Sequence, residues 1–200
     1  KLNSFDKYIQ LYLNDEKIVY FDVNGRWRVG VATGLTDRFE HYSFVNGIST
    51  FKGGKHVDYI TKQIITGIVE HVKKRYKTDI NPSYVKNYMK IFIDSIIENP
   101  SFDSQTKERL ITPASKFGSK CVIDEKMIKK IIDGTDIVDK TLSFAEFKLN
   151  KEAKKTNGAK VNKLRNIPKL DDANLAGTKK SQECTLILTE GDSAKTMAIS

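Results

Sequence analysis

The sequence predicts an antiparallel sheet with helices packed against it, a fold of the α+β class. Two observations predict it. Residues 17–23 and 26–32 are β-rich runs joined by Asn24-Gly25, a strong hairpin signal. Val57, Ile60, Ile64, Ile68 and Val72, with Ile65 and Val69 widening the stripe, recur at helical spacing. Residues 185–189 stand apart from that sheet, a short apolar, β-branched run bounded by a turn signal, the pattern of a parallel strand buried on both faces.

Length and composition set the bounds. Two hundred residues, 39% hydrophobic and 30% charged, suffice for one sizeable core and part of another. No apolar run approaches the length of a membrane span, and no signal peptide opens the chain. It begins with Lys1 and ends on a motif with no domain behind it, so it is expected to be a piece of a longer protein. Cys121 and Cys184 lie far apart without a partner pattern, which predicts reduced thiols in an intracellular compartment and argues against a zinc site. His41, His56 and His71 have no partner at ligand spacing and are expected to be packed or surface residues. The net charge of +9 points to a polyanionic partner. Residues 148–180 hold ten Lys or Arg against Glu152, Asp171 and Asp172, so most of the surplus precedes the terminal motif.

In chain order, Leu2, Phe5, Ile9 and Leu13 predict a short amphipathic helix. After the hairpin, in which Trp27, Val29 and Val31 share a face, residues 38–48 give a third strand and an antiparallel sheet with one covered face. Lys52-Gly53-Gly54-Lys55-His56 offers two readings: glycine backbone presented to an anion, or a flexible turn that starts the next helix. The turn is favoured, because the spacing is not that of a Walker loop. The long helix ends in Lys73-Lys74-Arg75-Tyr76-Lys77, where cations complement the helix dipole, and a loop marked by Asn81-Pro82 follows. Residues 84–98 read as a strand stopped by Asn99-Pro100. Asp124 caps a helix with Met127, Ile128, Ile131 and Ile132 inward and Gly134 just past its end. Residues 143–146 make a capping box that begins another helix running toward Lys155.

The chemistry gathers in two places. Glu190 follows the apolar run 185–189, at the carboxyl end of the predicted strand, where open α/β sheets place ligands. Gly191 permits a tight turn, and Asp192 or Ser193 can cap a helix through Ala194, Lys195 and Met197. By the residues alone this is either a structural turn or a metal or phosphate site. Glu190-Gly191-Asp192-Ser193-Ala194 resembles the signature that opens the TOPRIM domain of type II DNA topoisomerases, and its flanks resemble the eukaryotic-type branch. Residues 43–59 resemble a signature block in the second half of that family's ATPase region. Residues 98–108, with Gln105-Thr106-Lys107 near their end, resemble its Gln-Thr-Lys loop. Residues 167–177 are similar to its connector between the transducer and TOPRIM domains.

The resemblance implies an α+β transducer domain similar to the second domain of ribosomal protein S5 over residues 1–165, with a left-handed βαβ crossover. A connector over 166–182 and the first strand and turn of a TOPRIM domain over 183–200 would follow. It implies that Lys107 reaches a neighbouring ATP-binding domain and meets the terminal phosphate, with Gln105 and Thr106 beside it in the nucleotide-binding set. A compact ammonium on a flexible stem suits that task. Lys73, Lys74 and Lys77 become DNA-contact candidates, as do Asp192, Ser193 and Lys195, while the basic tract reads as either a DNA contact or a solvated linker. Glu190 becomes the catalytic acid, as a ligand of Mg2+ or as the general acid for the leaving oxygen. The cofactors implied are Mg2+ and ATP. The partners are double-stranded DNA, a second copy in a homodimer, and an N-terminal ATP-binding domain and cleavage core in the same polypeptide. The location implied is nuclear, or cytoplasmic if viral. The chain by itself is expected to be inactive. A non-catalytic nucleic-acid-binding module and another TOPRIM enzyme, a primase or nuclease, are the alternatives.

Overall fold

The computed structural model of the chain describes residues 4–13, 16–156, 173 and 175–191, with residues 150–156 as backbone only. Two compact units divide it, Lys1–Phe147 and Lys148–Ser200.

In the first unit, α1 (Phe5–Gln10) precedes the hairpin of β1 (Ile18–Val23) and β2 (Trp27–Thr33). The hairpin turns as its sequence predicts. Asn24 and Gly25 both take left-handed φ, 58° and 62°, and Arg26 N donates to Val23 O at 3.2 Å. Next come β3 (Glu40–Val45), β4 (Ile48–Ser49) and α2 (Lys55–Tyr76), then α3 (Pro82–Asn87) and β5 (Met89–Ser95). The unit closes with α4 (Glu125–Gly134) and the start of α5 (Ile137–Thr156).

The five strands lie in the order β1-β2-β5-β3-β4. β5 enters the middle of the sheet, antiparallel to β2 but parallel to β3. The sheet is therefore mixed, which corrects the expectation of an antiparallel one. Because β3 and β5 run the same way, the chain must cross over between them, and α2 is the crossover. A second correction concerns coverage. Trp27, Val29, Val31, Ile91 and Ile93 pack with Val57, Ile60, Ile64, Ile68 and Val72 of α2 in the main core. On the opposite face, Phe92 packs with Phe5 and Ile9 of α1, flanked by Tyr42 and Phe44. Both faces are thus covered. Gly30 makes room for α1: a Cβ there would lie 2.9 Å from Ile9 Cδ1 and 3.1 Å from Ile18 Cδ1. Under the same helix, Lys90 is buried, donating to Tyr12 O at 3.0 Å and pairing with Glu16 at 3.2 Å.

Two further segments depart from the sequence reading. Only Met89–Ser95 of residues 84–98 is strand, since Asn81 and Pro82 cap and open α3, with Asn81 Oδ1 accepting from Ser83 N at 2.9 Å. Ser143 lies inside α5 rather than at its start. The buried Ile137, Val138 and Thr141 carry the apolar face upstream, and Thr141 Oγ1 donates back to Ile137 O at 2.7 Å. Asp124 does cap α4, its Oδ1 accepting from Met127 N at 2.8 Å, and Ile128 and Ile131 are buried.

In the second unit, residues 185–189 form no strand among the described residues, contrary to expectation. Leu186, Ile187 and Leu188 are exposed, at 75, 64 and 87%. A strand exists only through hydrogen bonds to a neighbour, and none of the described residues supplies one here.

Candidate functional site

Gln105, Thr106 and Lys107 are all exposed at the tip of a loop that the sheet and α2 hold from beneath. The loop folds because its two limbs pair: Phe102 and Leu110 form an antiparallel bridge, and Asp103 N donates to Arg109 O at 3.1 Å. Its tip is a turn in which Lys107 N donates to Ser104 O at 3.1 Å and Ser104 Oγ bonds Thr106 Oγ1 at 2.8 Å. Lys107 itself takes φ 58°, a left-handed conformation that a non-glycine residue rarely adopts without support from its surroundings.

Support comes from the turn before α2. Leu110 N donates to Gly53 O at 3.1 Å, and Lys55 N to Leu110 O at 3.0 Å. Leu110 is 1% exposed, so these bonds form out of water. The approach needs glycine: a Cβ on Gly54, whose φ is 133°, would stand 2.3 Å from Leu110 O and 2.5 Å from Leu110 N. The Lys52-Gly53-Gly54-Lys55 segment is therefore a turn that starts α2, the favoured reading, and it also seats the neighbouring loop. One step outward, Lys52 N donates to Glu108 O at 3.1 Å, and the Lys52 ammonium pairs with Glu108 Oε2. That contact raises the Lys52 pKa and lowers that of Glu108.

The base of the loop is fixed at two more points. Asn46, at φ 50°, reaches β5's extension with its amide: Nδ2 donates to Ile97 O and Oδ1 accepts from Ile97 N, each at 2.9 Å. Ser101 N donates to the hydroxyl of the buried Thr112 at 2.7 Å. Beneath the glycine turn, the fully buried His56 hydrogen-bonds Thr50 Oγ1 through Nε2 at 3.1 Å, and Thr50 Oγ1 bonds Ser43 Oγ at 2.7 Å. Burial, with a smaller contribution from His41, depresses the His56 pKa to about 3, so the imidazole is neutral in the folded protein.

The other candidates stand elsewhere. Lys73, Lys74 and Lys77 are exposed at the far end of α2 from the loop, a helix of 22 residues and so about 33 Å long. Lys73 pairs with Asp79 at 2.9 Å in solvent, Lys77 is the left-handed C-cap, and Lys74 lines a groove of about 700 Å³ between α2 and α4 with Lys62, Lys126 and Lys129. Glu190 is exposed in the second unit, with Gly191 at φ 84° behind it. Among the described residues, no group of three or more His, Cys, Asp or Glu could hold a metal. A magnesium ion takes one or two carboxylates and completes its oxygen shell with water and phosphate, and Glu190 is one such carboxylate. Asp192, Ser193 and Lys195 lie outside the described residues, as does most of the basic tract. Cys121 is free and buried, which pushes its thiol up to about 12, and Cys184 is free.

Sequence reasoning missed Lys52, Glu108 and the clamp role of Asn46. Lys52 and Glu108 are far apart in sequence, so no local spacing could announce the pair. The left-handed Asn46 is foreshadowed by Asn46-Gly47, a turn signal of the same kind as Asn24-Gly25.

Residues 4–160 match the family model described as DNA gyrase B. The chain is 48% identical over 206 residues to the probable DNA topoisomerase 2 of Dictyostelium discoideum, covering 98% of this chain and 14% of that protein. It thus spans a small part of the curated relatives it matches. The solved ATPase and transducer domains of DNA topoisomerase II from Balamuthia mandrillaris superpose with a TM-score of 0.70 at 40% identity, over 74% of this chain and 38% of that one. The ATPase region of Saccharomyces cerevisiae topoisomerase II gives a TM-score of 0.67 at 42% identity, over 73% and 37%. The mixed α+β fold matches the ATPase and transducer region of those proteins.

Proposed function

The chain belongs to the DNA gyrase B family of type II DNA topoisomerases, and from that premise we propose that it couples ATP hydrolysis to the opening and closing of a DNA gate, with Lys107 as the contact to the nucleotide. In the intact enzyme one DNA duplex passes through a transient double-strand break in another. The observation that carries the reading is an exposed lysine at the tip of a loop whose base is bonded into the sheet and the start of α2. An ammonium so held neutralises charge on a transferring phosphoryl group, and its loss of contact after hydrolysis gives the loop a reason to move. Gln105 and Thr106 shape the tip and complete the nucleotide contact.

The S5-like domain, the TOPRIM assignment of the terminal segment, the homodimer and the nuclear location belong to the same proposal. So does duplex DNA, which Lys73, Lys74 and Lys77 would meet at the other end of α2, where exposed cations serve phosphates well. Asp192, Ser193 and Lys195 are assigned to DNA on the motif alone. Glu190 enters as a single carboxylate for the DNA-cleavage site, where Mg2+ would require donors beyond the described residues.

The test is Lys107→Ala in the intact enzyme. Slowed ATP turnover and strand passage with ATP-independent DNA cleavage preserved is the expected result. Wild-type turnover would defeat the assignment.

A further inference from the structure

Lys107 is exposed, left-handed and next in sequence to Glu108, and neither its φ nor its direction is set by contacts of its own side chain. Beyond the bonds that Ser104 makes within the turn, Glu108 ties the tip to the start of α2. Its carboxylate takes the Lys52 ammonium. Its carbonyl accepts from Lys52 N, immediately before the glycine turn to which Leu110 is bonded. Lys52 to Lys55 and Glu108 to Leu110 therefore run side by side as a three-bond seam, closed at its outer end by an ion pair.

We propose that Lys52 and Glu108 are positioning residues for Lys107: the pair locks the loop tip to the start of α2, so that the ammonium is presented in one place and its displacement is passed to the helix. This rests on Lys107 being the phosphate contact. The side chains are partly exposed, Lys52 at 57% and Glu108 at 20%, so the pair holds the tip weakly and can release it. The backbone seam beneath, buried at Leu110, does not depend on the ion pair and keeps the loop's base in place when the tip is freed.

The experiment is a double-mutant cycle on ATP turnover by the intact topoisomerase, using Lys52→Ala, Lys107→Ala and both together, with Lys52→Arg as the conservative variant. A freed tip misplaces the ammonium during phosphoryl transfer, so Lys52→Ala should lower kcat by about two- to fivefold with little change in KM for ATP. Lys52→Arg should restore most of it. In the Lys107→Ala background, Lys52→Ala should cost nothing more, because the group it positions is gone. Wild-type kcat in Lys52→Ala, or losses that multiply in the double variant, would overturn the positioning role while leaving the Lys107 contact standing. Wild-type kcat in Lys107→Ala would instead remove the contact itself and the positioning role with it. Unchanged thermal unfolding of Lys52→Ala separates the effect from a loss of fold.

Discussion

The seam between α2 and the Lys107 loop can be broken at Gly54 without touching a charged residue. Gly54→Ala places a Cβ 2.3 Å from Leu110 O, 2.5 Å from Leu110 N and 2.9 Å from Leu110 Cα. All three are backbone atoms, so no side chain can swing aside, and the strand of loop must retreat by about 1 Å to reach ordinary contact. The retreat disrupts Leu110 N to Gly53 O and Lys55 N to Leu110 O, each worth about 1 kcal/mol net. The φ of 133° adds strain of roughly 1–3 kcal/mol for a residue with a Cβ. Together these predict a loss of about 3–5 kcal/mol, a large share of a typical domain's stability. Trp27, the sole tryptophan, is fully buried with its indole N–H on Ser119 Oγ at 2.8 Å, so its fluorescence reports global unfolding in urea. With an m-value of about 2 kcal/mol/M the midpoint should fall by roughly 1.5–2.5 M. Gly47→Ala is the control, since Gly47 is also left-handed at φ 78° but has nothing within 4 Å. It should lose only about 1–2 kcal/mol. A Gly54→Ala loss below about 1 kcal/mol, or one equal to that of Gly47→Ala, would refute the close-contact argument.

Three other outcomes follow from the fold. Ile64→Ala empties a fully buried position midway along α2 and should cost about 2–5 kcal/mol by the same urea assay. Lys90→Ala should cost about 3–5 kcal/mol, because it strands the buried Glu16 carboxylate, and Glu16→Gln in that background should recover part of the loss. His56 binds a proton in the unfolded chain near pH 6.5 but in the folded protein only near pH 3, so its contribution is fully present above 6.5 and is lost as pH falls through that window. The loss should reach about 2 kcal/mol by pH 5. His41 shifts in the same direction through burial, so the difference between wild type and His56→Gln, measured by urea titration at pH 7 and pH 5, isolates the His56 share.

What could be read from the sequence was what neighbours in the chain decide among themselves. Asn24-Gly25 dictates its own turn, the stripe from Val57 to Val72 dictates its own helix, and Asp124 caps the helix it precedes. Pairings across the chain left no such trace. Whether β5 lies parallel or antiparallel to β3 depends on where the crossover returns it, and the second covered face depends on Gly30 leaving a space for Ile9. At residues 84–98 the apolar content hid a helix start that Asn81-Pro82 had already marked, and at Ser143 a capping pattern lost to the buried stripe upstream. The Gln105 to Lys107 loop is chemically plain, and only its resemblance to a family motif singled it out. Lys52 and Glu108, which hold it, became visible when the fold brought them together.

In the intact enzyme Lys107 should meet the terminal phosphate of ATP. An ATP analogue carrying a photoreactive group on that phosphate, irradiated on the intact topoisomerase and mapped by mass spectrometry of the digested protein, tests it without relying on a rate. A covalent adduct within Gln105 to Lys107 that excess ATP suppresses is the expected result. ATP-suppressible adducts found elsewhere in the enzyme, with none in this loop, would contradict it.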